Sequence, residues 1–185
     1  MNLTVEPLSP QNWPALEDLF GPGGASSGCW CMWPRIGRSY WTRSHEENRR
    51  ELHHLAGTTP SPGLLAFDGE VAVGWCQVAP REDMAWIVSR KQFTSDDTPA
   101  WAIGCFFVRH AYRNQGVAGA LTEGAIRYAR EHGASALEGY PVDLDVPDHT
   151  RNTFQGVAST LARHGFVEVA RHKFDRPVMR RNLSS

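Results

Sequence analysis

Lysine is almost absent from this chain. Of 19 cationic side chains only Lys91 and Lys173 are lysines, and 20 carboxylates bring the net charge to −1. So balanced a chain has no global basic field for nucleic acid or an anionic membrane. No run is long and apolar enough to span a bilayer. The opening stretch, MNLTVEPLSPQNW, lacks a basic segment followed by an apolar one, so it does not read as a secretion signal. Four cysteines without such a signal lead us to expect free thiols in a reducing, cytoplasmic setting. Neither the Lys-bearing nucleotide P-loop nor G-x-G-x-x-G occurs, which removes support for those two phosphate-binding folds. No repeat, low-complexity tract or linker divides the 185 residues, so one domain over 1–185 is expected.

What is present is a regular alternation of short strands and helices. Residues 2–6 read as a strand and 11–20 as a helix. A polar helix over 44–55 carries Ser44 as its cap, with Glu46 and Glu47 in its first turn. Two apolar runs joined by Asp68-Gly69, within 64–80, give the clearest hairpin signal. Residues 81–98 read as loop with a short helix. AWAIGCFFV (100–108) has no polar alternation and predicts a strand covered on both faces. Gly116 to His132 is the strongest helix, with Val117, Leu121, Ala125 and Tyr128 on one face and Gly133 at its end. A strand over 136–142, a short helix over 155–164 and strands over 166–171 and 175–181 complete the order β α α β β β α β α β β.

The corner between the strand ending at Val108 and the helix opening at Gly116 carries the chemistry. A helix N-terminus has backbone N–H groups without intrahelical partners and about half a positive charge. A phosphate placed there satisfies both. Gly116 lets a bulky anion approach the backbone, Ala118 and Gly119 keep the first turn thin, and Arg113 adds a fixed charge. Arg113-Asn114-Gln115-Gly116-Val117-Ala118 is therefore a diphosphate cradle on physical grounds. A tight turn relieved by a lone Gly is the plainer alternative.

This stretch, V-R-H-A-Y-R-N-Q-G-V-A, resembles the acetyl-CoA motif of the GNAT N-acetyltransferase superfamily, Arg/Gln-x-x-Gly-x-Gly/Ala. Arg113, Gly116 and Ala118 occupy its three marked places. The element order and LARHGFVEVAR near the end resemble that superfamily too, so the likeness covers nearly the whole chain. It implies a three-layer α/β fold, with a mixed, mostly antiparallel sheet, splayed central parallel strands and helices on both faces. It implies acetyl-CoA as cosubstrate, held through Arg113, Asn114, Gln115, Gly116, Val117, Ala118 and Gly119. The main-chain groups of Phe106 and Val108 would pair with the pantetheine arm, and the Phe106 amide would polarise the acetyl carbonyl. Gly104 would mark a bulge. The activity implied is acetyl transfer to a primary amine of a small molecule by a monomer or homodimer.

Departures from the superfamily pattern fall on the catalytic set. Ala102 stands where many members carry a Glu base, Leu161 where many carry a Tyr acid, and Phe154 where an Asn often contacts CoA. These departures motivate a competing reading, a non-catalytic acyl-CoA sensor of the same fold. The remaining catalytic candidates are Glu138, Asp143 and Ser159, with solvated or ion-paired carboxylates and a backbone-bonded Ser as the plainer readings.

The segment CWCMWPR (29–35) is the second unusual feature. A zinc site would need a second ligand pair beside Cys29 and Cys31, and His53 and His54 supply none at a regular spacing. No metal is expected. Rings on a loop suit a pocket wall, so Trp30, Met32 and Trp33 are expected to line an acceptor site, with Arg35 as an anion anchor and Tyr40 and Trp41 extending it. Core packing is the alternative at even odds. Elemental analysis of the purified protein should find no stoichiometric zinc. About one equivalent, lost in Cys31→Ser, would overturn this.

Overall fold

The hairpin seeds the sheet. In the computed structural model, which describes residues 2–184, β1 (Leu3–Pro7) pairs antiparallel with β2 (Gly63–Asp68), and β2 with β3 (Val71–Pro80). Gly69 turns the corner at φ +61°, in the left-handed region that glycine enters without a Cβ clash. Next, β4 (Trp101–Val108) pairs antiparallel with β3 and β5 (Ala136–Gly139) lies parallel to β4. Finally β7 (Arg176–Asn182) pairs antiparallel with β5, and β6 (Val167–Lys173) forms the far edge. The order among the described residues is β1-β2-β3-β4-β5-β7-β6.

Helices cover both faces, which is why the strands lack a polar side. On β2, Leu64 and Ala66 face one cluster with Val117, Leu121 and Ala125 of α5 (Val117–Glu131) and Leu161 of α6 (Ala158–Arg163). Leu65 and Phe67 face the other, with Leu16 and Leu19 of α1 (Trp13–Phe20) and Leu52 of α3 (His45–Ala56). The short helices α2 (Trp33–Ile36) and α4 (Ala85–Val88) extend this second layer, where Met84, Ile87 and Phe93 meet Ala102 and Tyr140. Ser44 and Glu47 close a full capping box on α3, each side chain bonding the other's backbone N–H.

The central parallel pair is short. β4 and β5 pair only from Trp101↔Leu137 to Ile103↔Gly139. The register of β3 against β4 then shifts between Gln77 and Val78, leaving Gly104 without a partner as a bulge. A Cβ on Gly104 would stand 2.5 Å from Gln77 Oε1. Beyond it the two strands part. The strand expected over 136–142 thus ends at Gly139. Pro141 has no N–H to continue a ladder, and Val142 makes an isolated parallel bridge to Val157. The helix expected over 155–164 starts at Ala158, because Gly156 at φ +90° still belongs to the turn before it.

Gly74 sets how closely α5 lies on the sheet. A Cβ there would be 2.5 Å from Val117 Cγ1 and 3.0 Å from Leu121 Cδ1. Gly74→Ala should therefore lower stability by about 1–3 kcal/mol through overpacking, read as a shifted urea midpoint at unchanged slope.

Candidate cofactor and acceptor site

Past Gly104 the edge of β4 that faces β5 has no strand partner. The Phe106 N–H points into this gap and donates to the Phe154 carbonyl at 2.5 Å. Backbone groups two residues apart share a side, so those of Val108 face the gap as well. At the end of β4 the chain turns through a short 3₁₀ stretch, His110–Tyr112. Three side chains brace the corner: Arg109 on Asp18 at 2.6 Å, Arg113 Nε on the Val108 carbonyl at 3.3 Å, and Gln115 on the Ala111 carbonyl at 2.7 Å. Asn114 (φ +60°) and Gly116 (φ +85°) adopt left-handed conformations, which aim the loop into α5. Nothing lies within 4 Å of a Cβ on Gly116, so its role is conformational and keeps the cradle open.

The N-terminus of α5 is bare. It has no side-chain cap and no acid in its first turn. The first intrahelical donor is Ala120, to the Gly116 carbonyl, so the N–H groups of Val117, Ala118 and Gly119 have no intrahelical partner. They line a cleft of about 1120 Å³ together with Phe106, Val108, Arg113 and Asn114. Thr160, Leu161, Arg163 and His164 line it from α6, and Arg151 adds a third guanidinium. Gly119 allows this approach, since a Cβ there would meet His164 Nε2 at 3.2 Å.

A second cavity, of about 430 Å³, adjoins the first and shares Phe106, Phe107, Asn152 and Phe154 with it. Its other walls are Trp33, Tyr40 and Trp41, with Arg38 and Cys29. The Trp33 and Phe154 rings meet edge to face, 5.1 Å apart at 82°. Beneath them Cys31 Sγ lies 2.9 Å from Cys105 Sγ and accepts from Trp75 Nε1 at 3.1 Å. Burial pushes the Cys29 thiol up to about 11 and raises Cys31 well above an ordinary thiol. No cluster of three metal-ligating side chains occurs among the described residues. Arg38, Asn152 and Phe107 were missed as lining residues, because nothing local in the sequence places them beside Trp33.

Solved structures share this fold at low identity. A Salmonella typhimurium protein, YncA, solved with its cofactor acetyl-CoA, aligns at TM-score 0.57 and 15% identity, covering 99% of this chain and 95% of that one. An N-acetyltransferase from Staphylococcus aureus Mu50 aligns at 0.60 and 11%, over 100% of both chains. PaiA N-acetyltransferase from Thermoplasma acidophilum, in complex with coenzyme A, aligns at 0.58 and 12%, over 98% and 99%. No curated protein matches in sequence. The sequence model of the Acetyltransferase (GNAT) family matches residues 29–145. The chain belongs to the GNAT acetyltransferase family.

The structure separates the remaining candidates. Trp30 does not line this second cavity: it is core, stacked on Trp13 at 5.9 Å and tilted against Phe20. Met32 is also buried away from the cavity. Arg35 donates to the Asp83 carbonyl at 3.2 Å and does not line the cavity, so Arg38 takes the place expected of it. Of the six residues expected there, Trp33, Tyr40 and Trp41 line the space, and Trp30, Met32 and Arg35 do not. Glu138 is fully buried and lines neither cavity; Arg81 (3.0 Å), Ser95 (2.7 Å), Tyr140 (3.1 Å) and Arg180 (2.8 Å) saturate its carboxylate. Asp143 is ion-paired to Arg171 at 2.9 Å, and Ser159 is exposed on the outer side of α6, off the cleft lining.

Glu138 is therefore a structural anion that ties β5 to β7 and to the Arg81 turn. Glu138→Gln leaves Arg180 short of its buried partner and should cost about 3–5 kcal/mol of stability. Chemical denaturation measures that loss, and ligand-induced stabilisation of the folded fraction should persist.

Proposed function

We propose that the protein transfers the acetyl group of acetyl-CoA to an amine nitrogen of a small molecule. The observation that carries this reading is the bare N-terminus of α5. It floors a cleft that runs directly into a ring-lined cavity. The orphan N–H groups of Val117, Ala118 and Gly119, with Arg113 beside them, fit a diphosphate. Asn114, Gln115 and Gly116 shape the loop that presents them. The family and the acetyl-CoA and CoA complexes of YncA and PaiA support the same cosubstrate.

When bound, acetyl-CoA supplies a thioester activated for attack by an amine. The chain's own task is to orient it and to stabilise charge on the acetyl oxygen. Main-chain groups of Phe106 and Val108 are the edge available to an extended arm. The Phe106 N–H is the donor for the developing oxyanion, once the Phe154 carbonyl that now accepts from it gives way. Trp33 bounds the acceptor. Ala102 is fully buried and Leu161 is apolar, so neither supplies the base or acid that those positions hold in many relatives. That absence favours a second reading, a non-catalytic acyl-CoA sensor, and release of CoA thiol in the presence of amines decides between them. We assign the activity to a single cytoplasmic domain, monomeric or homodimeric. No helix of the described residues is long and apolar enough to cross a membrane.

Acetyl-CoA at a hundredfold over Kd should stabilise the fold by about 2.7 kcal/mol. Gly116→Asp should abolish that shift, whereas Gly116→Asn, of equal size and also tolerant of φ > 0, should retain a larger part of it. Equal shifts in wild type and Gly116→Asp would remove the diphosphate from this corner.

A further inference from the structure

The cavity beside Phe106 restricts the kind of amine it can take. This inference rests on the acetyltransferase reading above and names its acceptor. An amine attacks a thioester only as the neutral base. An alkylamine like the lysine side chain titrates near about 10.4, so at pH 7 on the order of one molecule in a few thousand is neutral. A site for such amines needs an anion to hold the ammonium or a base to take its proton. The cavity lining has neither, because it contains no Asp, Glu or His. Its titratable side chains are Arg38, Tyr40, Cys29, Cys31 and Cys105. Burial raises Cys29, Cys31 and Tyr40 above their ordinary values, which keeps them protonated at neutral pH.

Arg38 is the one formal charge in the lining, and it is exposed without a carboxylate partner among the described residues. The nearby Arg35 does not line the cavity; one of its N–H groups donates to the Asp83 carbonyl. A lone cation at an apolar mouth repels ammonium and attracts a carboxylate. Besides Arg38 and Phe106, the lining holds the rings of Trp33, Tyr40, Trp41, Phe107 and Phe154. Such walls accept an aryl ring by stacking or edge contact.

We propose that the acceptor is an arylamine bearing a carboxylate, of the aminobenzoate class, with its carboxylate at Arg38 and its nitrogen toward Phe106. An arylamine shares its lone pair with the ring and is neutral at physiological pH, so no base is required before attack. The nitrogen lone pair forms the N–C bond at the thioester carbon. The C–S bond breaks with its electron pair left on sulfur. The proton shed by nitrogen passes through water to that sulfur, giving the N-acetylated arylamine and the CoA thiol. The lack of a base at Ala102 is then a property of the acceptor class and not a sign of lost activity.

Two readouts test this. Calorimetry without acetyl-CoA measures binding of para- and meta-aminobenzoate. Kinetics with acetyl-CoA compare these with aniline and with para-(aminomethyl)benzoate, which has similar charge and shape but a basic nitrogen. At least one aminobenzoate should bind and be acetylated, with kcat/KM flat over about pH 6 to 9. The aminomethyl analogue should be slow at neutral pH and gain about tenfold per pH unit as its ammonium deprotonates. Arg38→Ala, an exposed position, should weaken aminobenzoate binding about tenfold and raise its KM more than that of aniline, with the acetyl-CoA thermal shift retained. The acceptor class is overturned, and the acetyltransferase reading left standing, by three outcomes: faster acetylation of the aminomethyl analogue at neutral pH, no acetylation of either aminobenzoate by protein that binds acetyl-CoA, or equal effects of Arg38→Ala on aminobenzoate and aniline. Absence of any acetyl-CoA thermal shift in wild type removes both readings.

Discussion

The structure turns on the parting of β4 from β5. Backbone N–H and C=O groups inside a protein require partners, and a strand that leaves its neighbour exposes a row of them. Three residues of parallel pairing, Trp101 to Ile103, hold the two strands together, and then the bulge at Gly104 releases them. At the released edge, main-chain groups of β4 face a cleft. Phe106 satisfies its own N–H there with the Phe154 carbonyl, so the gap is bridged by chain and not left bare.

Holding a sheet open needs bracing on both sides of the opening. At the closed end, the carboxylate of Glu138 gathers Arg81, Ser95, Tyr140 and Arg180 in the interior, joining β5, β7 and the turn after β3. Asp96 on the surface completes the grip on Arg180, whose guanidinium holds that carboxyl well below the usual carboxylate range. At the open end, the loop from Thr150 to Ala158 is stitched in place. Thr150 donates to Asp175 at 2.6 Å, Arg176 to the Asn152 carbonyl at 2.7 Å, and Val142 exchanges bonds with Gly156 and Ala158. That loop carries Phe154, which belongs to both cavities. The bracing is therefore continuous with the cleft lining at Asn152.

Much of the fold was legible because its signals are local. Asp68-Gly69 forces a turn, Ser44 with Glu47 caps a helix, and Gly116 and Gly133 bound α5 through backbone geometry that needs no distant partner. The geometry of the candidate cofactor corner was legible for the same reason: its free donors are consecutive backbone amides, and a helix N-terminus is made by neighbours in sequence. The candidate acceptor cavity was not. Trp30 and Trp33 sit three residues apart on one loop, with Trp30 and Cys31 both at positive φ, and that reversal sends one ring into the core against Trp13 and the other into the cavity against Phe154. No periodicity predicts such a turn.

The sequence by itself determined the element order, the strand-to-helix corner and the absence of a base at Ala102. Each depends on residue type and on neighbours a few positions away. The tertiary structure alone decided the fate of the charges. Glu138 has one partner nearby in sequence, Tyr140, yet the others come from residues 81, 95 and 180, which converted a catalytic candidate into a buried clasp. Arg38 and Phe154, over a hundred positions apart, meet at one cavity because the 3₁₀ turn after α2 and the Thr150–Ala158 loop both border it. Long-range burial and ion pairing have no period along a chain, so only the packed molecule shows which charge is satisfied and which lines a cavity.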